Sequence, residues 1–83
     1  MSIDTLSKTV RVFELSTQTE LVYGDITARE ALALAVIQHS LGDYDTWCYD
    51  TKVRQLGEQV VLGHMGRTAS LCYKARTYCV KVK

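Results

Sequence analysis

One strong helix signal limits the folds available to the rest of this chain. Thr27 is followed three residues later by Glu30, a capping box in which the threonine oxygen accepts the Glu30 amide and the glutamate reaches back. Residues 31–37 are apolar on every side, and Gly42 supplies a stop. We therefore predict a helix over residues 27–41 that is covered almost all round, packed against a sheet. Its alanines at 31, 33 and 35 leave a helix–helix homodimer seam as the alternative.

Segments with the patterns of strands lie on both sides of this helix. Residues 8–15 and 20–23 predict an amino-terminal hairpin that closes at Gly24, and residues 59–62, 67–73 and 77–82 predict three later strands around a turn at 63–66. Residues 51–57 fit either a helical turn or a strand. The apolar phase reverses near Arg76, so a bulge or tight turn is required there. The prediction is a single α+β domain over residues 1–83, with one buried helix packed on an antiparallel sheet, in the order β-β-α-β-β-β.

The composition is that of an ordinary globular chain, with 83 residues of which 47% are hydrophobic and 23% charged. The longest apolar stretch is far shorter than the ~20 residues of a membrane helix, and no signal-peptide pattern begins the chain. We therefore expect a cytoplasmic protein without membrane association. The cysteines Cys48, Cys72 and Cys79 are odd in number and have no CxxC spacing, which favours reduced thiols.

Signals for metal binding and catalysis are weak. His39, His64 and the three cysteines contain no close ligand pair, and the aspartates at 43, 45 and 50 lack the glycine and closing glutamate of a calcium loop. The glycine-bounded residues 63–67 lack the ending of a phosphate-binding loop. We therefore expect no catalytic residues, no metal and no cofactor, and a protein that is not an enzyme.

The charges are sorted along the chain. Residues 1–50 hold eight of the nine carboxylates and three basic side chains, a formal charge of −5. Residues 51–83 hold seven basic side chains and one carboxylate, a formal charge of +6. The net charge of +1 therefore conceals two surfaces of opposite sign, each of which would attract its own kind of partner.

The first surface is the acidic aromatic segment, residues 43–50. Its candidate partner-binding residues are Asp43, Tyr44, Asp45, Trp47, Tyr49 and Asp50. Aromatic side chains supply buried area at protein-binding hot spots, and carboxylates steer a basic partner. The alternative is that Trp47 and one tyrosine cover the core below the end of the helix.

The second surface is the basic strands near the carboxyl terminus. Its candidate nucleic-acid-binding residues are Arg67, Lys74, Arg76, Lys81 and Lys83, which lie among Tyr73 and Tyr78. Cations can contact phosphates while aromatic rings stack on bases. The alternative is a solvated sheet face whose tyrosines belong to the core.

In its size, its α+β pattern, its charge polarity and the acidic aromatic segment, the chain resembles the small anti-defence proteins that phages and mobile elements encode, anti-CRISPR proteins among them. The resemblance implies stoichiometric binding to a host protein or protein–nucleic-acid complex in the host cytoplasm, with acidic side chains occupying a site meant for phosphate. The first hypothesis is therefore a non-enzymatic protein-binding inhibitor that uses residues 43–50. The alternative is a nucleic-acid-binding module that uses the basic strands.

Overall fold

A computed structural model of the chain describes residues 3–41 and 49–81, with the side chains of residues 40, 41, 49, 50 and 64 outside that description. The strands are β1 (Leu6–Glu14), β2 (Thr19–Thr27), β3 (Val61–Gly63), β4 (Thr68–Tyr73) and β5 (Arg76–Lys81). The helical elements are α1 (Ala28–Ala35), a π-helical segment that continues it (Val36–Leu41), α2 (Tyr49–Gly57) and a 3₁₀ turn (His64–Gly66). The strands form one antiparallel sheet in the spatial order β2-β1-β5-β4-β3.

The predicted α+β class is confirmed, with the long helix packed on an antiparallel sheet. The predicted element order was wrong in one respect, because residues 49–57, partly left open by the sequence, form the helix α2 between α1 and β3. In this helix Leu56 is buried and Val53, three residues earlier, packs against the same core. Residues three apart lie on the same side of a helix, so Val53 and Leu56 form a narrow apolar stripe. Because this stripe is short, packing against the rest of the protein stabilises the helix.

The capping box at the start of α1 is confirmed. The Thr27 hydroxyl oxygen accepts the backbone amide of Glu30 at 3.1 Å, and the hydroxyl lies 3.2 Å from the Glu30 Oε1 atom to which it donates. The helix continues through the π-helical segment to Leu41, which agrees with the predicted extent of the helix. Gly42, the predicted stop, lies outside the described residues.

The amino-terminal hairpin is longer than predicted. Gly24 does not close it, because β2 continues to Thr27 and remains paired with β1 as far as Leu6. Glu14 pairs with Thr19 at the other end, and the connecting turn is completed by Gln18 at a φ of 56°. The first strand also pairs with β5, so the hairpin and the three later strands form one sheet.

The apolar phase reversal near Arg76 corresponds to a tight turn, as predicted. Tyr73 pairs with Arg76, and the two residues between them turn the chain, with Lys74 at a φ of 55°. This turn places Leu71 of β4 opposite Tyr78 of β5, so both face the core.

One face of the sheet is covered by helices, and no described helix covers the other. The core residues are Ile3, Val10, Val12, Ala28, Ala31, Leu32, Ala33, Ala35, Val36, Ile37, Leu56, Ala69, Leu71, Tyr78 and Val80. Within β1 the buried side chains alternate with exposed ones, so Val10 and Val12 face α1 while Arg11 and Phe13 point away. We call the uncovered side of the sheet, to which Arg11 and Phe13 belong, the open face.

Candidate binding surfaces

The acidic aromatic segment can be placed only by its ends. Residues 43–48 lie outside the described residues, and of Tyr49 and Asp50 only the backbone, at the start of α2, is described. The segment therefore leaves the π-helical segment at residue 41 and enters a helix at residue 49. Its role in binding, and the packing of Trp47, stay predictions.

The end of the π-helical segment is fixed to the sheet by three side chains. His39 Nδ1 lies 3.0 Å from the hydroxyl oxygen of the fully buried Tyr78, and the two rings meet edge to face with centroids 5.8 Å apart. Arg76 Nη1 lies 3.3 Å and 3.4 Å from the two ring nitrogens of His39 and donates to its backbone carbonyl oxygen at 3.3 Å. This contact holds the chain to β5 two residues before the π-helical segment ends.

The end of α2 is fixed by Arg29. Its Nη1 donates to the carbonyl oxygen of Gly57 at 2.6 Å, while Nε and Nη2 donate to the two carboxylate oxygens of Asp4 at 2.7 Å and 3.3 Å. The hydrogen bond from Arg29 lowers the pKa of Asp4, and the same bond raises the pKa of Arg29. Arg29 thus joins the amino-terminal residues and α1 to the end of α2, the helix that follows the acidic aromatic segment.

The four described cations of the basic strands do not share one site. Thr68 pairs with Lys81 at one end of the β4–β5 hairpin, and Tyr73 pairs with Arg76 at the other, five residues away. At the strand rise this separates the two ends by about 17 Å. Arg67 precedes β4 at the Lys81 end, and Lys74 lies in the turn at the Arg76 end. Lys83 lies outside the described residues.

The two tyrosines of the basic strands belong mainly to the core. Tyr78 is fully buried, and Tyr73 is half-buried and packs against the core cluster. The Lys74 Nζ atom lies 5.6 Å from the Tyr73 ring centroid, a cation–π contact within the chain. Because Tyr78 is fully buried, a base cannot stack on its ring.

Glu14 is the one buried charged side chain among the described residues, and its hydrogen bonds give it a structural role. Its carboxylate accepts the Ser16 amide at 2.6 Å, the Ser16 hydroxyl at 2.6 Å and 2.9 Å, and the amide and hydroxyl of Thr17 at 3.1 Å and 2.9 Å. These bonds, led by the Ser16 hydroxyl, lower the pKa of Glu14 to about 2. A carboxylate so engaged is a poor general base and instead holds the turn between β1 and β2.

The described cysteines lie on the open face. Cys79 pairs with Ser70 and Phe13 across the sheet, and Cys72 pairs with Thr77. Burial raises the pKa of the half-buried Cys79 thiol, which makes it a weaker nucleophile near neutral pH. No group of three or more metal-ligating side chains occurs among residues 3–41 and 49–81 whose side chains are described. Cys48 lies outside those ranges, as does the side chain of His64.

The open face presents a surface that the sequence interpretation missed. Phe13 is 40% exposed near the carboxyl-terminal end of β1, with Leu15 and Val22 more than half exposed beside it. Exposed Arg11 lies two residues from Phe13 on the same strand, and exposed Lys81 ends β5. Arg11, Phe13 and Leu15 share one parity in the sequence, so the alternation of β1 groups them on one face but does not show that this face is the exposed one.

Comparison of the chain with protein-family models, curated proteins and solved structures gives no match. Among the described residues, no helix is both long and apolar enough to cross a membrane. The function is therefore inferred from the surfaces of this chain alone.

Proposed function

We propose that this chain is a small non-enzymatic protein-binding protein that inhibits a host complex by occupying it. The acidic aromatic segment supplies the contact, with Trp47, Tyr44 and Tyr49 as apolar anchors and Asp43, Asp45 and Asp50 as the groups that engage a basic surface. The partner is a protein, or a protein–nucleic-acid complex, whose basic site normally receives phosphate. The resemblance to anti-CRISPR-like proteins implies this mode of action.

The observation that carries the proposal is the anchoring of the chain on both sides of the segment. Before it, His39 is held by buried Tyr78 and by Arg76. After it, α2 is held through buried Leu56 and through the bond from Arg29 to Gly57. A binding segment on fixed supports loses less conformational freedom when its partner docks, so more of the contact free energy appears as affinity.

The polar chemistry of the described side chains also supports binding over catalysis. The Glu14 carboxylate accepts hydrogen bonds from the β1–β2 turn, and Asp4 forms an ion pair with Arg29. The His39 ring contacts Tyr78 and Arg76. These three groups have separate structural partners, whereas general acid–base catalysis requires titratable groups that converge on one pocket.

Affinity capture with charge-matched variants tests the proposal. In one variant Asp43, Asp45 and Asp50 are each replaced by asparagine. The control variant carries three substitutions at exposed positions, Glu20→Gln, Asp25→Asn and Glu58→Gln. Both remove three negative charges. We expect the first variant to lose a partner protein retained from nuclease-treated source-cell extract, and the control to keep it. Equal retention by both variants, each folded by circular dichroism, contradicts the role of the segment.

A further inference from the structure

The open face carries a row of side chains that crosses the whole sheet. From one edge to the other the paired residues are Glu20, Phe13, Cys79, Ser70 and Val61. Phe13 is the one aromatic ring in this row, and its neighbours on the β5 side are small. A planar ring of a ligand therefore has room to approach Phe13 from the direction of β5, over Cys79 and Ser70.

Two cations lie in the adjoining row. Arg11 precedes Phe13 by two residues, and Lys81 follows Cys79 by two residues, so the register that pairs Phe13 with Cys79 brings Arg11 toward Lys81. Both side chains are exposed, and neither forms an ion pair with another described side chain. Like charges brought together on neighbouring strands destabilise a sheet, and an anion between them would relieve that cost.

The only carboxylate in the Phe13 row stands at the far edge. Glu20 pairs with Phe13 from β2, the edge strand, whereas Lys81 lies on the opposite side, on β5. The face is therefore negative at one border and positive across β1 and β5. A polyanion would follow the path from Arg11 to Lys81 and avoid β2.

From this arrangement we propose that the open face binds single-stranded nucleic acid, a property beyond the proposed protein-binding function. One base stacks on Phe13, and flanking phosphates contact Arg11 and Lys81. Residues two apart on one strand are about 7 Å from one another, so Arg11 lies within one nucleotide of the base stacked on Phe13. A duplex does not fit this scheme because its bases are already stacked and cannot reach Phe13.

Hydroxyl groups complete the surface. Thr68 pairs with Lys81 and Thr77 with Cys72, both on the open side of the β4–β5 hairpin, and both side chains are half-exposed. Together with Ser70 they offer donors and acceptors beside the stacked base without the bulk that would block it. A second copy of this chain suits the face less well, since two copies would bury four cations, the Arg11 and Lys81 of each, against two Glu20 carboxylates.

Fluorescence anisotropy with labelled twelve-nucleotide oligo(dT) and oligo(U), at low salt, tests the proposal. We expect Phe13→Thr, which keeps a strand-forming residue, to weaken binding by about tenfold, the order of one lost base stack. The double variant Arg11→Gln/Lys81→Gln should weaken binding and reduce the slope of log affinity against log salt by about 1.4, since each single-strand phosphate contact contributes about 0.7. The two oligomers distinguish DNA from RNA as the source of the strand.

The control is Lys52→Gln/Arg54→Gln, which removes two exposed cations from α2, on the covered side of the sheet. It makes the same charge change and should leave the salt slope unaltered. Glu20→Gln should strengthen binding, because it removes the one carboxylate of the row. If Arg11→Gln/Lys81→Gln weakens binding, Glu20→Gln strengthens it and the α2 control leaves it unchanged, the binding site is the open face. Net charge alone would not give that pattern.

Several outcomes would overturn the proposal. One is that the unaltered protein does not bind at about 50 mM salt, where phosphate contacts are strong. Another is that the α2 control weakens oligonucleotide binding as much as Arg11→Gln/Lys81→Gln does. A third is that the protein binds duplex as tightly as single strands. A fourth is a concentration-dependent dimer in analytical ultracentrifugation that Phe13→Thr dissociates, without oligonucleotide binding. That result would assign the open face to a second copy of the chain.

Discussion

The Nη1 atom of Arg29 and the carbonyl oxygen of Gly57 lie 2.6 Å apart, and the absence of a side chain at Gly57 makes this approach feasible. A Cβ atom at Gly57 would stand 3.0 Å from Arg29 Cγ and 3.2 Å from Cδ. The glycine therefore serves a close contact and not an unusual backbone conformation, because its φ is not in the left-handed region. The bond connects the first turn of α1 with the last residue of α2.

The first prediction is that Gly57→Ala destabilises the protein only while Arg29 is present. The methyl group would displace the arginine stem by a few tenths of an ångström and strain its bond to the carbonyl oxygen. In an Arg29→Ala background the clash is gone, and alanine should be neutral or stabilising by up to about 1 kcal/mol. A double-mutant cycle of urea midpoints measures this coupling. The same effect of Gly57→Ala in both backgrounds would contradict it.

A second prediction concerns acid and Glu14. Its pKa is about 2 in the folded protein against an ordinary value of 4.5, so its charged form adds stability above about pH 4.5. That contribution is lost as the pH falls from about 4.5 toward 2. Glu14→Gln should therefore lower the free energy of unfolding near pH 7, and the gap between variant and unaltered protein should narrow by about pH 3. A gap that widens in acid would contradict the assignment of Glu14 as a buried, ionised turn acceptor.

For the β4–β5 turn, the expected change is a gain in stability. Lys74 has a φ of 55°, a conformation that costs an L-residue on the order of 1 kcal/mol and costs glycine little. Lys74→Gly should stabilise the protein by about 0.5 to 1 kcal/mol, after loss of the contact with Tyr73. Ala75→Gly, at the adjacent turn residue without a positive φ, is the control and should not stabilise. Thermal unfolding of both variants distinguishes the turn conformation from a general effect of glycine.

The covered helix gives a fourth prediction. Ile37 is fully buried, whereas Leu34 is only half-buried. An unpaired carboxylate at Ile37→Asp costs several kcal/mol, on the order of the whole stability of a small domain, so this variant should be unfolded by circular dichroism. Leu34→Asp should be destabilised but keep more of its structure. A native-like spectrum and midpoint for Ile37→Asp, equal to those of Leu34→Asp, would show that the helix is not buried as described.

Local signals sufficed for the parts of the fold whose side chains interact over short distances. The pairing of Thr27 with Glu30 requires only the spacing of a capping box, and the phase reversal before Arg76 requires only that both strands face one core. The helix α2 lacked such a signal. Its apolar contribution to the core is Leu56 with partial help from Val53, and packing against α1 and the contact with Arg29 supply the rest.

The open face was missed because the parity of β1 is misleading. Charged side chains usually lie outside and aromatic ones inside, but in β1 Glu14 is buried and Phe13 is exposed. Burial of Glu14 is tolerated because Ser16 and Thr17 donate hydrogen bonds to its carboxylate. Those partners come from the turn after the strand, so the pattern of β1 alone did not reveal them. The same limit applied to Arg76, whose contact with His39 joins elements far apart in sequence.

The most direct test of the central claim is quantitative capture from nuclease-treated source-cell extract by three proteins in parallel: the unaltered chain, Trp47→Ala and Arg11→Gln/Lys81→Gln. The proposed function predicts that a defined partner protein is retained by the unaltered chain and by the open-face variant, and is lost with Trp47→Ala while its circular dichroism spectrum is unchanged. A hot-spot aromatic contributes about 2 kcal/mol or more, so the loss should be at least about thirtyfold in affinity. Retention of the same partner in the same amount by folded Trp47→Ala would contradict the claim.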